Sequence, residues 1–595
     1  MKFAFKPIAI AAALAFIGTA AVASPMKPGT YTAKDNGHNA PLTVEVTVDA
    51  NKILSIKTPD DQESLGVGKV GLKKTADNIL RYQSIGVDAV TGATFSSNAL
   101  KEGVEKCLKQ AGADMKQFTR KAEKHPIHNR TYQADVVVIG GGGAGLASAI
   151  SSMQAGAKKV IVLEKLGYVG GSTNVSEGAL NAVDDQRQKA QGIKDSYETF
   201  YETTMHGGHD KGDPTLVRFL TSHSMDAVNW LESLGVKFND HIGAATGSLG
   251  QRSHYPATPY GNTYIRTFEK VIADSNGKIQ VLLDTPAVKL IQNKSGRVVG
   301  VVGNNFGSKV TVMAKDGVII ATGGFGANVA YRQKVNTGVW KNIKLDNSIG
   351  CTNIQKAAQG QGLFLAQKVG AKLIGLSDIQ IHPCGTPGTG LMENIRTSGR
   401  NRIFVNSDGN RFVNEGAARD VLANAIFQQK GRTYWIVVNK LRYPTPDFKD
   451  RMGASIRNME ALGAVVEAPT LDELAKKTGM NAENLKKAIA DYNAVVSGKA
   501  KDKLGFVANN KDDKQMTEGP WYACRKVPTV HHTMGGIKIN VKSQVINTKG
   551  KVIPGLYAVG EVTGGIHGSN RLGGNAIADI MTFGHAVGPH IVQGK

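Results

Sequence analysis

Residues 134–145 read Ala134-Asp135-Val136-Val137-Val138-Ile139-Gly140-Gly141-Gly142-Gly143-Ala144-Gly145. An apolar run of strand length ends in Gly140-x-Gly142-x-x-Gly145, and small residues through Ala147 and Ala149 then open a helix. A second apolar run, Val160-Ile161-Val162-Leu163, closes on Glu164, about 20 residues beyond the glycines, where an acid can bind a ribose hydroxyl. The glycines let a pyrophosphate rest against the helix N-terminus, where backbone N–H groups and the helix dipole favour anions. Strand, glycine turn, helix and second strand together read as a dinucleotide site in an α/β domain.

Further pieces of that domain are scattered along the chain. Gly170-Gly171-Ser172-Thr173 follows the second strand, and Val318-Ile319-Ile320-Ala321-Thr322-Gly323-Gly324-Phe325 lies far downstream. The latter resembles the return strand of FAD enzymes. Gly555-Leu556-Tyr557-Ala558-Val559-Gly560-Glu561 resembles a segment that meets the FAD ribityl chain through an acid, here Glu561.

Upstream, residues 29–33, 42–48 and 53–56 alternate like strands, and two helical stretches flank the run Asp88-Ala-Val-Thr-Gly-Ala-Thr-Phe-Ser-Ser-Asn98. The second stretch runs through Leu100, Val104 and Leu108. Taken alone, the run reads equally well as a capped turn before a helix. It also resembles the site at which a flavin transferase esterifies FMN through its phosphate onto a threonine. That resemblance makes Thr94 the acceptor, exposed on a turn that Gly92 permits.

The N-terminus reads as a secretory signal peptide: Lys2 and Lys6, an apolar stretch from Ile8, and a small-x-small site at Ala21-Val22-Ala23. No later stretch is apolar for ~18 residues, so an exported, periplasmic protein is expected. The 595 residues imply several domains. The 70 glycines gather in motifs rather than in a linker, as many close backbone approaches to a nucleotide require. The four cysteines (Cys107, Cys351, Cys384, Cys524) form no Cys-x-x-Cys-His, which excludes covalent c-type haem, and no metal site is read. A disulfide between distant cysteines stays open. The net charge of +23 favours anionic substrates or an acidic redox partner. Its basic residues are scattered without a nucleic-acid recognition motif, so nucleic acid is not expected as a partner.

His531-His532-Thr533-Met534-Gly535-Gly536 and His567-Gly568-Ser569-Asn570-Arg571-Leu572-Gly573-Gly574-Asn575-Ala576 complete the pattern. With them, residues 131–595 resemble the flavoprotein subunit of the fumarate reductase and succinate dehydrogenase family. The exported soluble branch is the nearer likeness: flavocytochrome c fumarate reductases and urocanate, acrylate, methacrylate and cinnamate reductases. The resemblance implies a Rossmann-like FAD-binding domain with an inserted α+β capping domain, preceded by a small α/β FMN-binding domain. The expected divisions are 1–23 signal peptide, 24–115 FMN-binding domain, 116–130 linker, 131–374 and 526–595 FAD-binding domain, and 375–525 cap.

The implied cofactors are non-covalent FAD and FMN bound covalently through Thr94. FAD would be held by Gly140, Gly142, Ala144, Gly145, Glu164, Gly171, Ser172, Thr173, Gly324, Glu561, Asn575 and Ala576. The implied reaction is hydride transfer from flavin N5 to one alkene carbon of an unsaturated carboxylate and a proton to the other. His532 and Arg571 match residues that hold one carboxylate, and His382 one near the far end of the substrate. Arg419 matches the proton donor, with Glu393 and Arg396 as its relay. Without the resemblance, Glu393 and Arg396 read equally as a helical ion pair and His382 as a core histidine. The implied partners are a membrane quinol-oxidising cytochrome or other redox donor and a flavin transferase for maturation.

Two departures bear on the substrate. Met392 stands where dicarboxylate reductases carry a threonine, and Cys384 stands where threonine is common after His-Pro. A more apolar wall would favour a monocarboxylic enoate. Urocanate reductases tend to carry tyrosine at the His382 position, so His382 weighs against urocanate. Two other readings share the FAD fold or the FMN module: a dehydrogenase of the ketosteroid-desaturase or aspartate-oxidase type, and a non-catalytic flavin electron carrier.

Overall fold

The computed structural model describes residues 25–122, 126–258, 260–450, 452–508 and 512–594. The expected signal peptide lies outside the described residues. Three antiparallel strands come first: β1 (Gly29–Asn36), β2 (Pro41–Val48) and β3 (Ile53–Lys57). Alternation along β2 turns Leu42, Val44, Val46 and Val48 to one buried face, as a two-residue period requires. Helices α1 (Gly68–Tyr82) and α2 (Thr94–Gln110) cover it. Leu100, Val104 and Leu108, one helical turn apart, are fully buried against the sheet.

Thr94 is the first residue of α2 and not part of the turn before it; Gly92 at φ 94° makes that turn. A short helix, Met115–Phe118, folds back so that Phe118 is buried in the same core, and Gly86 bridges to Lys121. The start of the expected linker therefore packs as part of this module.

The second unit is built on a large sheet. In it β4 (Arg130–Ile139) lies between β5 (Val160–Leu163) and β7 (Ser308–Ile320), β6 (Ile279–Leu282) flanks β5, and β10 (Val552–Ala558) flanks β7. All four pairings are parallel. Val136, Val137 and Val138 are wholly buried because both faces are covered, which is why the sequence runs apolar there rather than alternating. Helix α3 (Gly143–Gln154) follows β4 and packs along the C-terminal helix α5 (Asn575–Gln593). A Cβ at Gly584 would lie 2.9 Å from the Ala147 Cβ and one at Gly588 2.3 Å from Ser151 Oγ, so small residues set how closely these helices approach.

A five-stranded antiparallel sheet forms the inserted unit, with the long β9 (Trp521–Thr533) at its centre and β8 (Ile379–Gly385) along its edge. Helix α4 (Arg419–Phe427) packs on β8. β9 runs unbroken through residues 525 and 526, so the expected boundary falls inside a strand. Its far end carries His531 and His532 out of the insert to the larger sheet's domain. The N-terminal module docks where Val90 and Ala93 meet Leu166 and Tyr168. There Tyr168 Oη donates to Gly92 O (3.2 Å), Lys74 Nζ donates to Gly167 O, and Asn174 Nδ2 donates to Gly66 O (3.2 Å).

Candidate active site

Two adjoining cavities run from the glycine turn to the insert. The smaller, about 120 Å³, is lined by Gly140, Gly142, Ala144, Glu164, Gly171, Ser172, Thr173, Gly324 and Glu561. Gly142 caps α3, and a Cβ there would meet protein no nearer than 4.0 Å, so the backbone faces open space at a helix N-terminus. Gly171 and Gly323, at φ 47° and 72°, leave similar room. This cradle fits a pyrophosphate.

Gly145 works differently: its Cβ would lie 1.8 Å from Gly140 O, so it serves close helix–strand packing. Gly145→Ala should destabilise the fold by about 3 kcal/mol, with a lower melting temperature and lost FAD content on purification. Glu164 accepts from Gly141 N (2.6 Å) and Leu166 N (2.7 Å), which aims the carboxylate along the cavity wall where a ribose would lie.

The larger cavity measures about 550 Å³ and continues past Ser172, Thr173 and Glu561. Thr94, His382, Glu393, Arg396, Arg419, His532, Arg571 and Ala576 all line it, brought together from the three units. The antiparallel register of β8 on β9 sets Gln380 opposite His532 and His382 opposite Thr529. Cys384 N donates to His382 Nδ1 (3.1 Å), so the neutral ring carries its proton on Nε2.

Arg419 opens α4 and donates through Nη1 to Gln380 Oε1 (3.0 Å). Gln380 Nε2 in turn donates to Asn570 Oδ1 and Arg571 O, both at 2.7 Å, so one amide fixes both arginines. Arg419 Nε, Arg571 Nε and His532 Nε2 are buried without a hydrogen-bond partner among the described residues. Each such group costs about 1–3 kcal/mol until an acceptor arrives. An anionic ligand in this cavity would give the two guanidinium Nε–H groups an acceptor. Burial pushes Arg419 down to about 10. Burial and then Arg419 hold Arg571 well below the usual guanidinium range. Burial likewise raises the Glu561 carboxyl, which accepts from Thr533 N (3.0 Å).

Several expected residues sit otherwise than the sequence suggests. Asn575 does not face the cavity: its Oδ1 accepts from Asn181 Nδ2 (2.8 Å) and its Nδ2 donates to Thr204 Oγ1 (3.2 Å), locking the start of α5. Residues 389–400 form no helix, so the helical ion pair of Glu393 with Arg396 is absent. Arg396 Nη1 instead meets Glu177 Oε1 (3.4 Å), while Glu393 Oε1 lies 3.0 Å from His38 Nε2 of the N-terminal module. Cys384 is buried with its backbone turned to His382; Met392 is the residue that lines the cavity. All four cysteines are free thiols. Gln380 was legible, since it shares a strand face with His382 two residues on. Glu177 and His38 carry no local signal.

Residues 135–577 match the family model described as FAD binding domain, and residues 37–109 the one described as FMN-binding domain. A urocanate reductase from Eggerthella lenta is 34% identical over 94% of this chain and 91% of its own length. An NADH:acrylate oxidoreductase from Vibrio harveyi is 34% identical over 94% of this chain, which spans 61% of that protein. The solved open conformation of a flavocytochrome c3 fumarate reductase superposes with a TM-score of 0.63 at 32% identity, covering 81% of this chain and 83% of that one. The chain is a fumarate reductase-like flavoprotein. Its cofactors are FAD and FMN, one for each domain, and the cradle at Gly142 fits the first. Among the described residues no helix is long and apolar enough to cross a membrane.

The flavoprotein's buried imidazoles give it an acid limit. Burial holds His382, His531 and His532 well below the ordinary imidazole value; the next causes are Arg419, His382 and Arg571 respectively. The unfolded chain therefore binds more protons than the folded one below about pH 6.5, and stability falls as pH falls. Each histidine contributes a slope of about 1.4 kcal/mol per pH unit. Urea midpoints compared at neutral and mildly acidic pH should drop on the acidic side; a rise would contradict the buried neutral rings.

Proposed function

We propose that the flavoprotein is an exported enzyme that reduces the C=C bond of an α,β-unsaturated carboxylate as the terminal step of an anaerobic electron chain. The observation that carries this is the trio of buried nitrogens, on Arg419, Arg571 and His532 in one cavity, with no partner among the described residues. Arg571 and His532 hold the carboxylate and draw electron density from the double bond, in a site dry enough to strengthen their charge. His382 offers its Nε2 proton to the far end of the substrate. Bound FAD supplies the hydride. Arg419, its guanidinium pKa lowered by burial and its fork fixed by Gln380, gives the proton to the other carbon.

Thr94 heads α2 with an exposed side chain at the mouth of the same cavity, where an ester-linked FMN phosphate gains from the helix N-terminus. A flavin transferase would load it, and a membrane quinol-oxidising cytochrome or another redox donor would feed it. Met392 on the wall favours a monocarboxylic enoate over a dicarboxylate.

The test is anaerobic oxidation of reduced methyl viologen by the flavin-loaded protein, with fumarate, urocanate, acrylate, methacrylate, crotonate and cinnamates as acceptors. One strongly preferred enoate supports the reading and defines the pocket's selectivity. Silence across the panel, with both flavins reducible, removes it.

A further inference from the structure

Reduction of the double bond consumes one proton per substrate at the Arg419 side, and Arg419 must be refilled from somewhere. Arg396 is engaged with Glu177, while Glu393, lining the same cavity as Arg419, turns Oε1 to the FMN domain. His38 meets it there, with Nε2 3.0 Å from Glu393 Oε1, off the line of a straight hydrogen bond. At that separation an imidazole lone pair and a carboxylate oxygen repel unless a proton lies between them.

The opposite edge of the ring fixes the count. His38 Nδ1 is 2.9 Å from Asn39 Oδ1, and that amide is oriented because its Nδ2 donates to Gln62 O (3.1 Å). Asn39 therefore presents an acceptor, so Nδ1 carries a proton, and the proton facing Glu393 is an additional one. The ring is placed as firmly. Glu63, buried, accepts from His38 N (2.7 Å) and, through its other oxygen, from Ser96 Oγ (2.6 Å), two residues beyond Thr94. On the cap side, Lys526 Nζ donates to Glu393 O at 2.5 Å and anchors that loop.

We propose that His38 and Glu393 hold one proton between them across the interface of the FMN domain and the cap, and that this pair refills Arg419 after each turnover. The inference rests on the reductase reading above. Per cycle the enoate takes a hydride and a proton to become the saturated acid. Arg419 loses that proton and regains one from the His38–Glu393 pair, and the pair is recharged from water at the partly exposed His38 edge. The charged and titratable groups facing the pair are Glu63 beside His38, Lys526 on the Glu393 carbonyl, and Arg396, Arg419 and His382 along the cavity. The FMN domain thus brings a proton donor as well as electrons to the site.

The experiment uses the flavin-loaded full chain, reduced methyl viologen and whichever enoate the wild type prefers, so that electron delivery through FMN is bypassed. His38→Gln keeps the hydrogen-bonding shape but holds no extra proton. It should lower kcat about tenfold with KM unchanged, lose the fall of kcat at alkaline pH, and enlarge the solvent deuterium effect. His38→Ala should regain rate when imidazole is added. In ¹⁵N-histidine spectra, the Nε2 proton of His38 should vanish in Glu393→Gln at the same pH. Wild-type kcat, pH profile and deuterium effect in His38→Gln would overturn the proposal, as would a loss that raises KM and that imidazole fails to restore. A wild type that turns over no enoate would instead strike the reductase reading, while the ¹⁵N comparison would still decide the shared proton.

Discussion

Arg419→Ala is expected to lower viologen-linked enoate reduction by about 10³-fold while leaving both flavins bound and reducible. General-acid groups contribute about 10²–10⁴-fold, and Arg419 has every feature of one placed for that task. It is buried at the first residue of α4, gripped by Gln380, and shifted down to about 10 by loss of water. Its Nε is an unpartnered donor in the cavity. Lysine cannot replace it, because a point charge lacks the planar fork that meets Gln380 and substrate together. Stopped-flow reduction of the flavins, measured beside steady-state turnover, separates a lost proton donor from a collapsed site. Unchanged turnover in Arg419→Ala would remove Arg419 as the proton donor.

Thr94→Ala is expected to abolish turnover with the physiological donor and to spare turnover with the dye. The exposed hydroxyl and methyl are all that is lost, and α2 is held by Leu100, Val104 and Leu108 well away from them, so the fold should survive. Intact-protein mass spectrometry should show the wild type heavier by one FMN and the variant without it. Full donor-linked activity in Thr94→Ala would remove FMN from the electron path. This variant and His38→Gln separate two contributions of one domain, since the first acts on electrons and the second on protons.

Much of the molecule could be read from local rules. The glycine turn at 140–145, the apolar runs of β4 and β5, and the alternation along β2 follow from backbone sterics and two-residue or buried-strand periodicity. These are properties of neighbours in sequence. His532, Arg571 and Arg419 were singled out only by the resemblance of their motifs to a known family, and the fold brings them to one cavity although they come from distant segments. Gln380 was within reach of the local rules, two residues before His382 on one strand.

Partner choice among charged side chains was not legible. Glu393 and Arg396 are three residues apart, yet one faces His38 and the other Glu177, each more than 200 positions away. A long side chain has many rotamers of nearly equal energy, so the docking of distant surfaces selects among them. Asn575 shows the same limit, since its motif places it beside the cofactor and Asn181 and Thr204 draw its amide elsewhere. The sequence by itself determined the dinucleotide-binding α/β unit and its glycine cradle, because glycine geometry and hydrophobic period act within a few residues, whereas the arginine–histidine set was implied by the family resemblance. Only the tertiary structure decided which acid meets which base, because that depends on where the FMN domain settles against the cap.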